Sequence, residues 1–538
     1  MTTYNLADLF EVVVDRVPER EAIVTDTARY TYAELEARAN RLAHYLKLQG
    51  IGVGDHIGIH LRNGSEYLEG MLAAYKLRAV PININYNYVE AELRQLYDYI
   101  DLAATLVHRQ YAPRVDAVAG ELSKLNTLVV VDDDSDWPAA EGWVEYETAL
   151  AASSPDRNFE PRSSEDKYII CTGGTTGMPK GVMWRHEDIF FASLGGGDPD
   201  RTKGFINHPD ELADRIPDFP MATLPAPPFM HAAAQWGALT SLLSGGSLVI
   251  PAQGAFDVSA IWRAVSDENV LALLIVGDAM GTPLADELEA NPDAYDTSSL
   301  FVIASGGAIL SPVVKRRLLK LLPGKMILDG LGSSETGVIG NKVSDGSAEE
   351  SYELRFTIGE FVQVLGDNLQ PVQPGSGQVG KVARGGHVPV GYYNAPEKTA
   401  ETFVEANGQR WALPGDLATV EEDGSILLLG RGSTSINTGG EKVFPEEVEM
   451  ALKENQLIFD VLVVGVPDER FGEAITAVCQ LRLGAELSHE ALKDGCRAHI
   501  ASYKIPKRLV LCDQIKRSPA GKADYPWAKA FALEALGL

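Results

Sequence analysis

Two rhythms of apolar and polar positions run through the chain. Leu35, Ala39, Leu42, Ala43 and Leu46 recur at helical spacing. Thr31 and Glu34 ahead of them form a Thr-x-x-Glu capping box, in which a hydroxyl and a carboxylate satisfy the first free N–H groups of a helix. The spacing predicts a helix that ends at Gly50. His56-Ile57-Gly58-Ile59-His60-Leu61 then alternates as a strand does, Leu68 to Arg78 returns to helical spacing, and Ala79 to Ile84 is a short, mostly apolar run. Strand, helix, strand is the rhythm of βαβ units.

Further strands are predicted over Leu128 to Val131, Leu248 to Ile250, Leu271 to Val276 and Leu300 to Ala304. With helical or turn material between them they predict an α/β fold with a large multi-subdomain N-terminal body. Beyond Gly424 to Gly430, a turn and a strand, the segment Arg431 to Gly440 is rich in Gly, Ser and Thr, a linker composition. A helix from Pro445 and strands over Val461 to Val466 and Ala474 to Leu481 follow, which predicts a separate small α+β domain. The expected division is 1–430, a hinge over 431–437, and 438–538.

The 538 residues carry 47 Lys and Arg against 75 Asp and Glu, a net charge of −28. A polyanion of that size argues against nucleic acid as a partner. The charge is unevenly spread: from Arg431 onward 14 cationic residues stand against 15 acidic ones. Lys504, Lys507, Arg508, Lys516, Arg517 and Lys522 cluster there, which predicts a local basic surface suited to phosphate-bearing small molecules. Four scattered cysteines without a CxxC pair fit a reducing compartment. No signal-peptide pattern opens the chain, and its most apolar windows end within about ten residues where a membrane span needs about twenty. The expectation is a cytoplasmic protein with no integral membrane segment. The acidic run Asp132-Asp133-Asp134 reads as a solvated loop rather than a metal site.

The segment Tyr168-Ile169-Ile170-Cys171-Thr172-Gly173-Gly174-Thr175-Thr176-Gly177-Met178-Pro179-Lys180-Gly181 carries the sharpest chemistry. An apolar strand enters a loop of glycines and threonines that offers bare N–H groups, hydroxyls and one lysine, as a polyphosphate requires. It is not a Walker A loop, because Pro179 precedes the lysine and Gly181 follows it. This string resembles the phosphate loop of the adenylate-forming acyl-CoA synthetases, whose superfamily also holds luciferases and peptide-synthetase adenylation domains. Pro227 to His231 is similar to that family's acyl-pocket segment, Leu331 to Gly337 to its adenine and magnesium segment, and Pro414-Gly415-Asp416 to its ribose-binding aspartate. Gly430-Arg431 resembles its hinge, and Ser518 to Lys522 the segment with its C-terminal catalytic lysine. The motifs stand in the family's order.

The resemblance implies an AMP-forming ligase that uses ATP, Mg²⁺ and coenzyme A on a small-molecule carboxylic acid. It implies that Thr172, Gly173, Gly174, Thr175, Thr176, Gly177 and Lys180 hold phosphates, that Glu335 binds Mg²⁺, and that Thr336 meets the α-phosphate. Gly306, Gly307, Ala308, Asp329, Gly330, Leu331, Gly332 and Ser333 would border the nucleotide, with Asp416 on the ribose and Arg431 beside it. Lys522 would bridge the carboxylate and the α-phosphate. His231, Gly307 and Gly337 would shape the acyl pocket, and Ser433, Gly439, Gly440 and Glu441 the hinge and the CoA passage. Ser433-Thr434 replaces the usual hinge pair, and Leu331 stands where relatives carry an aromatic residue. The strings GVMWRHEDI, VGDAM, GRGSTSIN and KRSPAGKADYPWAK look like the actinobacterial ligases of steroid side-chain and related bulky acids, so such an acid, a terpenoid or long-chain acid is the expected substrate. A member that performs mainly thioesterification of a supplied adenylate, a carrier-protein adenylation enzyme, a luciferase-like oxidative enzyme and a non-catalytic scaffold are the alternatives, and a homodimer stays open. The chain ends about 16 residues after Lys522 without a carrier domain, which favours free CoA as acceptor.

Overall fold

The structure, a computed structural model, describes residues 2–172, 179–251, 256–347, 353–438, 441–497, 499–518 and 521–538. Thr31 caps the helix Tyr32–Leu48, and both halves of the box are made: Glu34 N donates to Thr31 Oγ1 at 3.2 Å and Thr31 N to Glu34 Oε2 at 2.8 Å. The expected helix over 68–78 forms as Ser65–Lys76, and Arg78 at φ +58° turns the chain sharply into the strand Val80–Asn83. That strand lies parallel to His56–His60, completing the βαβ unit. The alternation at His56–His60 does not mark a wet face. All five residues are buried, because the strand runs inside a parallel sheet with Leu102–His108, Thr127–Val131 and Trp143–Glu145. Burial pushes the His60 imidazole down to about 3, so it serves as a neutral ring stacked 5.1 Å from Tyr111.

A second, larger sheet is parallel through Glu21–Thr25, Ser247–Ile250, Ala222–Pro225, Ala272–Ile275, Val302–Gly306 and Met326–Ser333. At Gly337–Ser344 its direction reverses, and an antiparallel run continues to Asp416–Val420 and Ile426–Arg431. The sequence pattern predicts Ser247–Ile250, Ala272–Ile275 and Val302–Gly306 within a residue or two and the strand Ile426–Arg431, but not the other parallel strands or the rest of the antiparallel extension. Past Arg431 the chain enters a separate sheet of Glu441–Val443, Ile436–Thr438, Gly472–Leu481, Ile458–Asp468 and Arg508–Cys512, backed by the helices Pro445–Lys453 and Tyr525–Leu536. The molecule is thus a large α/β N-terminal domain with a small α+β C-terminal one. In the acidic run, Asp132 pairs with Arg109 at 3.0 Å and Asp133 accepts from the Gln110 side chain at 2.8 Å.

One buried charge ties the N-terminal helices together. Lys76, 1% exposed, donates to Glu11 on the helix Leu6–Arg16 at 2.5 Å and to Glu36 on Tyr32–Leu48 at 3.0 Å. Removing a buried partner strands the opposing carboxylates in a poor solvent. Lys76→Met is therefore expected to destabilise the large domain by about 3 kcal/mol in denaturant unfolding, whereas a loss within experimental error would show that Arg162, which also pairs with Glu11, and Arg157, which also pairs with Glu36, suffice for both glutamates.

Candidate active site

The parallel strands Val302–Gly306 and Met326–Ser333 end side by side, and the hairpin from the second to Gly337–Ser344 places the turn Ser333 to Gly337 at their tips. Thr336 braces this turn from within: its hydroxyl accepts from Ser333 N at 3.0 Å and donates to the Gly337 carbonyl at 3.1 Å, and the residue is fully buried. Thr336 thereby spends its hydroxyl on the turn itself. Gly337 has φ +67°, and a Cβ there would lie 2.6 Å from Ser193 Oγ and 2.9 Å from the Ala192 carbonyl, so the turn seats directly on the helix His186–Ser193. Trp184 Nε1 holds it from a third side by donating to the Ser334 carbonyl at 3.0 Å.

This packing leaves Glu335 directed outward. Its Oε1 accepts from the Tyr392 hydroxyl at 2.9 Å, and Lys180 Nζ lies 5.4 Å from the centre of the same ring. Tyr392 thus joins the lysine of the glycine-threonine segment to the carboxylate of the turn. Sequence reasoning misses it, because Tyr392 reaches Lys180 only through the strand pairing Gly391–Tyr392 with Met183 and Val182, and no local spacing signals that pairing. Thr172 pairs with Lys180 across the antiparallel strands Lys167–Thr172 and Lys180–Arg185.

From the antiparallel region, Asp416 and Arg431 face each other in register, Arg431 Nε donating to Asp416 Oδ1 at 3.2 Å. Lys522 arrives from the small domain. Its Cε comes within 3.9 Å of where a Cβ on Gly307 would stand. The lysine is open to solvent, yet the cleft walls and the Arg431 charge lower its pKa, against the opposing pull of Glu335 and Asp416. His231, just ahead of the helix Ala232–Leu243, is pushed down to about 4 by burial and by the Lys522 charge, and its Nε2 is buried with no hydrogen-bond partner among the described residues. Gly307, His231, Glu335, Asp416, Arg431 and Lys522 thereby share one cleft, assembled from both domains.

The other expected positions are set by the strands and hairpin around it. Asp329 is buried and paired with Lys315 beneath the strand end. Leu331 packs against the cluster containing Ile339 and Phe356, which accounts for an aliphatic residue at that position. Gly306 and Gly330 are strand neighbours, Ala308 packs on the core around Val276 and Met280, and Gly332 and Ser333 close the hairpin opposite Val338 and Gly337. Glu441 is exposed at the start of Glu441–Val443. Gly173, Gly174, Thr175, Thr176, Gly177, Gly439 and Gly440, and the side chain of Ser433, lie outside the described residues. Half of the basic cluster is compensated: Lys504 pairs with Glu447, Arg508 with Asp468 and Arg517 with Asp460, so the expected local basic surface is reduced.

Glu446 on the helix Pro445–Lys453 presses on the junction of the domains. Gly430, at φ +125°, has no room for a Cβ, which would stand 2.7 Å from Glu446 Oε2. Burial first, then the charges of Glu449 and Asp416, push the Glu446 carboxyl from 4.5 up to about 8. A carboxyl whose native pKa is raised binds its proton more tightly when folded, so its contribution to stability is full below pH 4.5 and is lost as pH climbs through about 8. Glu446→Gln is expected to flatten the decline of Tm between those two pH values. An unaltered pH dependence would contradict the assignment.

Residues 10–393 match the AMP-binding enzyme family and residues 447–522 the AMP-binding enzyme C-terminal domain. The chain is 49% identical over 531 residues to a 3-oxocholest-4-en-26-oate–CoA ligase of Rhodococcus rhodochrous, covering 98% of this chain and 95% of that one. It is 47% identical to a medium/long-chain-fatty-acid–CoA and 3-oxocholest-4-en-26-oate–CoA ligase of Mycobacterium marinum, covering 98% and 96%. Among solved structures, an anthranilate–CoA ligase in complex with anthranoyl-AMP superposes with a TM-score of 0.86 over 100% of this chain and 99% of that one at 20% identity, a likeness of fold.

Proposed function

The chain belongs to the AMP-binding enzyme family, and from that premise we propose that it is an AMP-forming acyl-CoA ligase acting on a steroid side-chain acid. Identity of 49% along nearly the whole chain to a ligase of a 3-oxocholestenoate supports the substrate class. The observation that carries the reading is the convergence of Lys522 from the small domain with Glu335, Asp416 and His231 of the large one. In the first half-reaction a carboxylate oxygen bonds to the α-phosphorus of ATP, the bond to the β-phosphate breaks, and pyrophosphate leaves. In the second the CoA thiol bonds to the acyl carbon, AMP leaves, and the thiol proton passes to solvent.

The residues divide this work by chemistry. Phosphoryl transfer is governed by positioning and charge stabilisation, so the decisive group is a cation at the transferring phosphate. Lys522 supplies it, bridging the acid and the α-phosphate, and its lowered pKa reflects a site that disfavours a further cation until an anion arrives. Asp416, an acceptor-only group, takes the ribose hydroxyls, while Arg431 holds its carboxylate in place. Lys180, with Thr172 and the threonines that follow, holds the terminal phosphates. Neutral His231 and Gly307 border the acid. Mg²⁺ fits Glu335: the Tyr392 hydroxyl holds its carboxylate at the cleft as a hard oxygen donor, and Mg²⁺ is characteristically held by one or two carboxylates plus substrate phosphates. When bound it would neutralise phosphate charge. Thr336 acts by keeping Glu335 outward. Residues 431–437 serve as the hinge, and Ser433, Gly439, Gly440 and Glu441 border the thiol passage after the small domain turns. The reading fits a cytoplasmic enzyme, since ATP and CoA are present there; no helix among the described residues is long and apolar enough to cross a membrane.

Substrate choice is tested by CoA-thioester formation with a 3-oxo steroid side-chain acid and a series of unbranched fatty acids. The steroid acid is expected to show kcat/KM about tenfold or more above any fatty acid. A fatty acid equal to it would support the broader specificity named for the Mycobacterium marinum relative. For the lysine, Lys522→Ala should lower pyrophosphate release about 100-fold or more while leaving thioester formation from a supplied acyl-adenylate nearly intact. Equal loss in the two assays would remove Lys522 from the adenylation step.

A further inference from the structure

Lys522 can act only if its loop is brought to the large domain in one orientation, and a chain of buried ion pairs leads to that loop. Lys453, the last residue of the helix Pro445–Lys453, places Nζ 2.8 Å from Asp278 Oδ2 of the large domain and 3.6 Å from Asp460 Oδ1 of its own. Asp460 grips Arg517 with both oxygens, at 2.6 and 2.7 Å. Arg517 in turn donates to the Gly521 carbonyl at 3.1 Å, one residue before Lys522. Ser518 closes the loop across Lys522, its N–H donating to the Lys522 carbonyl at 2.8 Å and its Oγ accepting from Lys522 N at 3.2 Å.

The circuit returns to where it began. A Cβ on Gly521 would stand 3.1 Å from Ala279 Cβ and 3.4 Å from the Val276 carbonyl, so the loop rests on the first turn of the helix Gly277–Ala290, the turn that carries Asp278. The second oxygen of Asp278 accepts from Ser311 N at 2.7 Å, which fixes its carboxylate to the large domain. Burial opposes the charge of Lys453, but Asp278 and Asp460 outweigh it and raise its pKa. Two further pairs cross the same boundary, Arg316 with Glu454 at 2.7 Å and Arg482 with Asp286 at 3.5 Å, and both are more exposed than Lys453 and Asp278.

We propose that Lys453 is a positioning residue for adenylation: paired at once with Asp278 and Asp460, it locks the small domain in the arrangement that presents Lys522 to the cleft. It touches neither the acid nor the nucleotide site, so its effect falls on the half-reaction that uses this arrangement. The second half-reaction, which needs the small domain turned away, does not use the pair. The proposal rests on the two-step reading above.

The test uses the full-length protein with Lys453→Met and with Lys453→Met/Asp278→Asn. The single change leaves a buried carboxylate without its cation and lowers Tm, whereas removing both charges recovers most of that loss. The expected result is that the double variant regains stability yet still releases pyrophosphate about tenfold or more slowly, with thioester formation from supplied acyl-adenylate kept within about twofold. Recovery of pyrophosphate release together with Tm, or a parallel fall of both half-reactions, would reduce Lys453 to a structural residue and overturn the proposal. Hydrogen exchange provides a readout independent of activity: the peptide containing Gly521 and Lys522 should exchange faster in the double variant, and unchanged exchange would overturn the lock even for a protein that catalyses neither step. A wild-type protein inactive in both steps, by contrast, would contradict the proposed function.

Discussion

The positive charge of Lys522 enters the cleft on a loop of the small domain, whereas Gly307, His231, Glu335 and Asp416 belong to the large one, so the site exists only while two domains are held in register. Charge and packing share that task. The large domain carries nearly all of the net charge of −28, and the small domain is close to neutral. Where they meet, small-domain cations such as Lys453 and Arg482 find large-domain carboxylates at Asp278 and Asp286. The acidity that argues against nucleic acid therefore also gives the small domain a surface to dock on. Buried pairs of this kind add little net stability, but they penalise any arrangement that separates them.

Within the large domain the same site depends on close approach. The turn from Ser333 to Gly337 is held by Thr336 from inside, by Trp184 from one side, and by the contact of Gly337 with Ala192 and Ser193 from another. Glu335 is left as the member of that turn that reaches Tyr392 and, across its ring, Lys180. Gly430 performs a similar service at the domain junction, where its missing side chain admits the Glu446 carboxyl. These contacts explain how the Glu335 carboxylate, Asp416 and an incoming lysine can be set around one cleft by elements far apart in the chain.

Much of this was legible in the sequence where the signal is local. The Thr31 capping box, the apolar strands over 128–131 and 248–250, and the change of texture after Gly430 each depend on neighbours a few residues away, and each has its counterpart in the fold. The motif resemblance likewise located Glu335, Asp416 and Lys522, which the structure brings together. What stayed hidden depends on distant pairing. The antiparallel run beyond Gly337 lacks a strong local pattern, Tyr392 reaches Lys180 only across a strand pair, and the Asp278–Lys453 contact joins residues 175 positions apart. The pairing of Asp329 with Lys315 and the inward bonding of the Thr336 hydroxyl stayed hidden for the same reason, since spacing tells which residues share a turn but not which side chains point into it.

In the proposed reaction the acid is activated in this cleft before CoA takes part. The most direct measurement is to incubate the protein with ATP, Mg²⁺ and a 3-oxo steroid side-chain acid in the absence of CoA, and to quantify protein-bound acyl-adenylate by mass spectrometry alongside released pyrophosphate. The account predicts both, in equal amounts and near one per protein chain. Thioester formed on adding CoA, with neither adenylate nor pyrophosphate seen beforehand, would contradict it.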